Sequence, residues 1–87
     1  VSSALETSVG IAAGLAVAAA LPSLPYACGL ATVQLLTADV AATPLLPVDG
    51  ALPVGAALVD PHALDLLAAT DDRVAHWEAR LAEVRAR

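Results

Sequence analysis

The run Val1-Ser2-Ser3-Ala4-Leu5-Glu6-Thr7-Ser8-Val9-Gly10, continuing through an Ala-rich stretch to Leu21-Pro22 and on to Pro25-Tyr26-Ala27-Cys28-Gly29, decides the fold. Its first residues read as a strand stub. From about Glu6 the pattern turns helical through Ala20, and Pro22 stops it because proline donates no N–H and crowds the preceding turn. Gly10, Gly14 and many alanines make this helix apolar nearly all round, which predicts burial on more than one side and close approach to a sheet. Pro25 to Gly29 reads as a short buried strand. Strand, helix and strand spell a β-α-β unit with a parallel crossover, and such a unit needs further strands beside its own. The expectation is therefore the carboxy-terminal piece of a larger α/β enzyme, completed by the remainder of the same polypeptide.

Beyond Gly29, residues 30–42 predict a short helix or two. Leu45 to Val54 reads as a hairpin turned by Asp49-Gly50. Pro47 and Pro53 keep it at an edge or in an appended layer, since neither can donate to a ladder; Gly55-Ala56-Ala57 leads out. Asp60-Pro61 supplies a cap followed by proline at the first helical position, opening a helix through about Ala69. A second helix starts near Thr70-Asp71-Asp72, where Val74, Trp77, Leu81 and Val84 recur at spacings of three and four. Acids crowd its first turn and Arg85 its last, as the macrodipole prefers. This stripe predicts docking through one face, with Trp77 as a core anchor.

Composition narrows the partners. Of the 87 residues 59% are hydrophobic and mean hydropathy is +0.76, oily for a small domain that must face water on most sides. The longest apolar run, Val9 to Leu21, falls short of the ~20 residues that span a bilayer, so no membrane partner is expected and a cytoplasmic location is. Net charge is −5, and the four basic residues Arg73, Arg80, Arg85 and Arg87 all lie near the end. Nucleic acid is not an expected ligand. Cys28 is the single cysteine, which excludes an internal disulfide and reads most simply as a small buried apolar residue.

The candidate site is Ser2, Ser3 and Glu6, at the carboxyl end of the first strand, with Gly29 ending the second. In barrel enzymes that face carries the active site. Hydroxyls and free backbone N–H groups there can hold a substrate carboxylate, and the following helix adds its positive end. The plainer alternatives are that Ser2 and Ser3 cap the helix, that Glu6 caps its own helix end, and that Gly29 only makes a turn. His62 and His76 read as solvated, with no second ligand at metal spacing. The chain holds no Lys, so lysine acid/base chemistry is excluded within it, and no catalytic residue is assigned to it.

Ser2-Ser3-Ala4-Leu5-Glu6-Thr7-Ser8-Val9-Gly10, the Ala-rich helix, Leu24 to Leu30 and Asp49-Gly50-Ala51-Leu52-Pro53-Val54 resemble the enolase superfamily, within it the muconate-lactonizing-enzyme subgroup. The resemblance spans essentially the whole chain, and Ser-Ser-x-x-Glu-Thr-x-x-Gly is its most specific part. It implies the carboxy-terminal part of a modified (β/α)7β TIM-like barrel plus the last segment of a capping domain. Residues 1–42 would be the last βαβ part of the barrel, with Val1–Leu5 its seventh strand, Glu6–Leu21 the helix and Tyr26–Gly29 the eighth strand. Residues 43–87 would return into the cap. The activity implied is a Mg2+-dependent dehydration of a cyclohexadiene carboxylate to o-succinylbenzoate on the path to menaquinone. Its metal ligands and lysines would lie before Val1, and Ser2, Ser3, Glu6 and Gly29 would match substrate-contacting positions. The same machinery serves N-acylamino acid or dipeptide racemases, the first alternative. A non-catalytic helical interaction module is the second, and it requires a chain that folds alone.

Overall fold

A computed structural model covers Val1–Arg87. The chain forms three helices, α1 (Ser8–Ala20), α2 (Pro61–Leu66) and α3 (Asp71–Arg85), with one 3₁₀ turn at Thr32–Leu35 between the first two. Extended structure is reduced to three isolated bridges: Ser2 with Gly29, parallel; Ala41 with Val59, antiparallel; and Val48 with Ala51, antiparallel. The parallel crossover is thus present, but only one bridge deep. It is made by Gly29 N–H donating to Val1 O at 2.9 Å and Ser3 N–H donating to Gly29 O at 3.0 Å.

Helix α1 follows from its alanines and leucine, which lose little freedom in a helix. It ends where Leu21, held extended at φ −73° and ψ 138°, precedes Pro22, whose ring disfavours the helical region for its neighbour. The expected burial on more than one side is corrected here. Ser8, Ile11, Leu15 and Ala18 are the buried residues of α1, a single stripe at steps of three and four, while Val9 and Val17 lie exposed. Leu30 and Val33 close on that stripe to make a cluster of five buried residues, with Cys28, Leu45 and Leu52 packed against it. Gly14 is where Leu30 seats, since a Cβ there would stand 2.9 Å from Leu30 Cδ2. Each large side chain so buried stabilises by about 1.5–3 kcal/mol.

The Asp49-Gly50 turn forms as expected, but the hairpin expected over Leu45 to Val54 is only one bridge deep. Both residues have positive φ, 51° and 76°, the requirement of the turn whose twist matches that of paired strands. Val48 and Ala51 exchange backbone hydrogen bonds across it at 2.9 and 3.0 Å. At its base, Ala42 N–H donates to Leu58 O at 3.1 Å and Asp60 N–H to Val40 O at 2.8 Å, a closure the sequence pattern did not suggest. Asp60 caps α2 by accepting from His62 N–H at 2.9 Å, with Pro61 at the first helical position, but the helix stops at Leu66 rather than near Ala69.

Two expectations about exposure fail together. The segment 25–29 is not a buried strand: Tyr26 is 84% exposed and only Cys28 is partly covered. Helix α3 has no buried residue, and Trp77, expected as a core anchor, is 59% exposed. Its ring makes an edge-to-face pair with that of His76, centroids 5.3 Å apart. The Arg80–Glu83 ion pair at 3.2 Å is fully on the surface and adds at most about 1 kcal/mol. The physical reason is the same in both cases: the apolar stripe and the strand have nothing in these residues to pack against.

Global dimensions agree. The accessible surface is 6489 Å², against about 4,700 Å² for a compact chain of this mass. The radius of gyration is 15.2 Å, against about 12 Å for a compact domain of this length. Seven of 87 residues are buried, too few for an independent core. These 87 residues in isolation should accordingly show helical circular dichroism without a cooperative thermal transition; a sharp, reversible melt of a soluble monomer would contradict this.

Candidate functional site

The single parallel bridge draws the two ends of the crossover together, and with them Ser2, Ser3, Glu6 and Gly29. A Cβ on Gly29 would stand 3.1 Å from Ser2 Cβ and 3.8 Å from Ser2 Oγ. Glycine is thus favoured here by the close approach of the serine rather than by a turn. Ser3 does not cap α1; its Oγ lies 3.0 Å from Thr32 Oγ1. The same threonine oxygen accepts from Glu6 N–H at 3.3 Å. Ser2 is exposed and Ser3 and Glu6 are partly so. All four candidates therefore line one strip of surface, and Thr32, which had no sequence signal beyond lying three residues after Gly29, joins two of them.

Glu6 does not cap its helix end. It joins this strip through its backbone N–H, while its carboxylate folds back over the first turn of α1, where a Cβ on Gly10 would stand 2.9 Å from Glu6 Cδ. The capping carboxylate is Asp39. Its Oδ1 accepts from Ser8 N–H at 3.0 Å and from Val40 N–H at 2.9 Å, and its Oδ2 accepts from the Ser8 hydroxyl. Ser8 Oγ in turn accepts from Leu45 N–H at 2.8 Å. Ser8 is fully buried, so these bonds satisfy a polar group that would otherwise be costly in the core. They tie the start of α1 to the loop before the hairpin.

This capping corrects the expected electrostatics. The positive end of α1, anticipated as an attraction for a substrate carboxylate, already holds a resident anion. Any carboxylate bound beside Ser2 and Ser3 must rely on hydroxyls and loop amides. Partial burial of Asp39 raises its pKa, but the hydrogen bonds from the Ser8 side chain and from the Ser8, Val40 and Ala41 backbone outweigh it, and the net direction is downward.

A separate apolar cavity of about 310 Å³ lies between α1, the 24–31 segment and the hairpin, with Leu15, Cys28, Leu30 and Leu52 among its walls. It touches none of Ser2, Ser3, Glu6 or Gly29. No three His, Cys, Asp or Glu side chains approach closely enough to hold a metal ion, so these residues do not fit a Mg2+ site. No helix is long and apolar enough to cross a membrane.

No family model matches the chain. Curated proteins of one class of synthases are similar to it over nearly every residue. That class is o-succinylbenzoate synthase. The protein of that name from Thermobifida fusca (strain YX) is 60% identical over 86 residues, 99% of this chain and 26% of its own length. Those from Mycobacterium leprae (strain TN) and Mycolicibacterium smegmatis are 56% and 53% identical over 81 residues, 93% of this chain and 24% and 25% of theirs. The chain thus spans about a quarter of the length of the curated relatives it matches. Identity of this order over one continuous stretch reflects common descent.

The Asp39 bonds make a direct prediction for the intact protein. Asp39→Ala should lower stability by about 2 kcal/mol, the combined loss of a helix cap and of the bonds to buried Ser8. Because the folded-state pKa of Asp39 is lowered, its ionised form contributes stability above the ordinary carboxylate value of about 3.9 and loses it as pH falls through the lower folded value. The melting-temperature gap between wild type and Asp39→Asn should hold steady near neutrality and narrow below about pH 4. A gap that widens with acid would contradict the assignment.

Proposed function

We propose that this chain is part of an o-succinylbenzoate synthase, a carbon–oxygen lyase that removes water from 2-succinyl-6-hydroxy-2,4-cyclohexadiene-1-carboxylate in menaquinone biosynthesis. The single observation that carries the reading is the strip of Ser2, Ser3, Glu6 and Gly29 held together by the parallel bridge, in a sequence 60% identical to a protein of that name. In this reading residues 1–42 form the end of a (β/α)7β barrel and residues 43–87 enter its capping domain. The excess accessible surface and the bare faces of α3 and segment 25–29 are what such a piece presents where the rest of a barrel packs against it.

The role of this chain is binding and orientation. Two neutral hydroxyls at a strand end can hold a carboxylate by hydrogen bonds that cost little desolvation when empty, and Gly29 keeps the facing backbone close enough to contact the same ligand. Mg2+, which the superfamily resemblance implies, would be held by ligands outside these 87 residues and would supply Lewis-acid stabilisation of developing negative charge. The working place of such a biosynthetic lyase is the cytoplasm.

The test uses the full-length protein. Ser2→Ala and Ser3→Ala should each raise KM for the cyclohexadiene substrate by about 10- to 100-fold, the loss of one hydrogen bond to a charged group, with melting temperature nearly unchanged. An unchanged KM in both would refute the binding role. Turnover of N-acyl amino acids without turnover of the cyclohexadiene substrate would assign the protein to the racemases instead.

A further inference from the structure

We infer that Thr32 is a positioning residue that sets the direction of the Ser3 hydroxyl, making Ser3 a hydrogen-bond donor to the substrate carboxylate; the inference rests on the proposed binding role of Ser3. Three groups form a short chain: Glu6 N–H, Thr32 Oγ1 and Ser3 Oγ, with separations of 3.3 and 3.0 Å. The first link has a fixed direction, because a backbone amide only donates. Thr32 Oγ1 thus accepts at one lone pair, and a hydroxyl that accepts becomes a better donor.

The second link has two possible directions, with different consequences. If Ser3 donated to Thr32, the threonine oxygen would accept twice, its own proton would go unused, and Ser3 would turn only lone pairs toward an incoming anion. If Thr32 donates to Ser3, every bond in the chain points the same way and the Ser3 proton is left free. The second arrangement uses the whole donor inventory and is the one that binds a carboxylate. It also gives the Glu6 amide a function: through Thr32 it polarises the group that meets the ligand. Because the N-terminus of α1 is already occupied by Asp39, this relay is a principal source of directed donors on the strip.

The placement of Thr32 supports the assignment. It lies on the far side of the crossover, 29 positions from Ser3, and opens the 3₁₀ turn whose Val33 is buried in the core cluster. The hydroxyl is therefore carried by an anchored turn, and Ser3 is oriented from a fixed base across the crossover.

Thr32→Val keeps the shape of the side chain and removes the hydroxyl. In the full-length protein it should raise KM for the cyclohexadiene substrate about tenfold and leave kcat within about twofold of wild type, because binding rather than the chemical step is affected. Thr32→Ser should restore KM. The Ser3→Ala/Thr32→Val double variant should be no worse than Ser3→Ala alone, since the relay acts only through Ser3. A KM raised by Ser3→Ala but unmoved by Thr32→Val, or additive effects in the double variant, would overturn the relay and leave the binding role intact. A KM unmoved by Ser3→Ala would overturn both. If Thr32→Val does not accumulate folded, Thr32→Ala is read by the same criteria.

Discussion

Two backbone hydrogen bonds between Val1–Ser3 and Gly29 hold this chain in its crossover, and the candidate site exists only because they do. They bring the serines to the glycine, place Thr32 against Ser3, and lay α1 across Leu30 and Val33. A parallel pair gains stability from neighbours on both edges and from layers on both faces. Here one face is covered, by α1, and the outer edges are bare. The constraint matches how little of so oily a chain is buried: local contacts cover the stripe that α1 turns inward, with Leu30, Val33 and Ala41.

A second tie reinforces the first. Asp39 and Ser8 fasten the start of α1 to the loop ahead of the hairpin, so the strand-to-helix turn carrying Ser2, Ser3 and Glu6 is held at the crossover and again at the helix end. The carboxylate offsets the positive end of the helix. In the proposed binding role, the Ser2 and Ser3 hydroxyls rather than the helix end would hold a carboxylate.

Features encoded by adjacent residues were legible in the sequence. Asp49-Gly50 specifies positive φ twice, Asp60-Pro61 combines a cap with a fixed φ, and Leu21-Pro22 ends a helix; each is chosen by sterics within a few residues. The family resemblance was legible for a similar reason, its most specific part being the contiguous Ser2–Gly10 run. What escaped were contacts between distant positions: Asp39 with Ser8, Thr32 with Ser3, Ala41 with Val59. Nothing in the spacing of a lone aspartate or threonine says which oxygen it will meet some thirty residues away. The Trp77 stripe shows the converse limit, because periodicity marks the face a helix turns toward a partner without saying that the partner lies in the same stretch of chain.

The Ala41–Val59 bridge joins the two ends of the intervening segment, so residues 42–58 form a lasso whose neck is fixed. Its far tip, Asp49-Gly50, is exposed and nothing lies within 4 Å of where a Gly50 Cβ would stand. Closure entropy rises only by about 0.6 kcal/mol for each doubling of loop length, so extra residues at the tip would scarcely disturb either neck strand. Reach at this one point can therefore change in evolution independently of the rest, leaving the crossover unmoved.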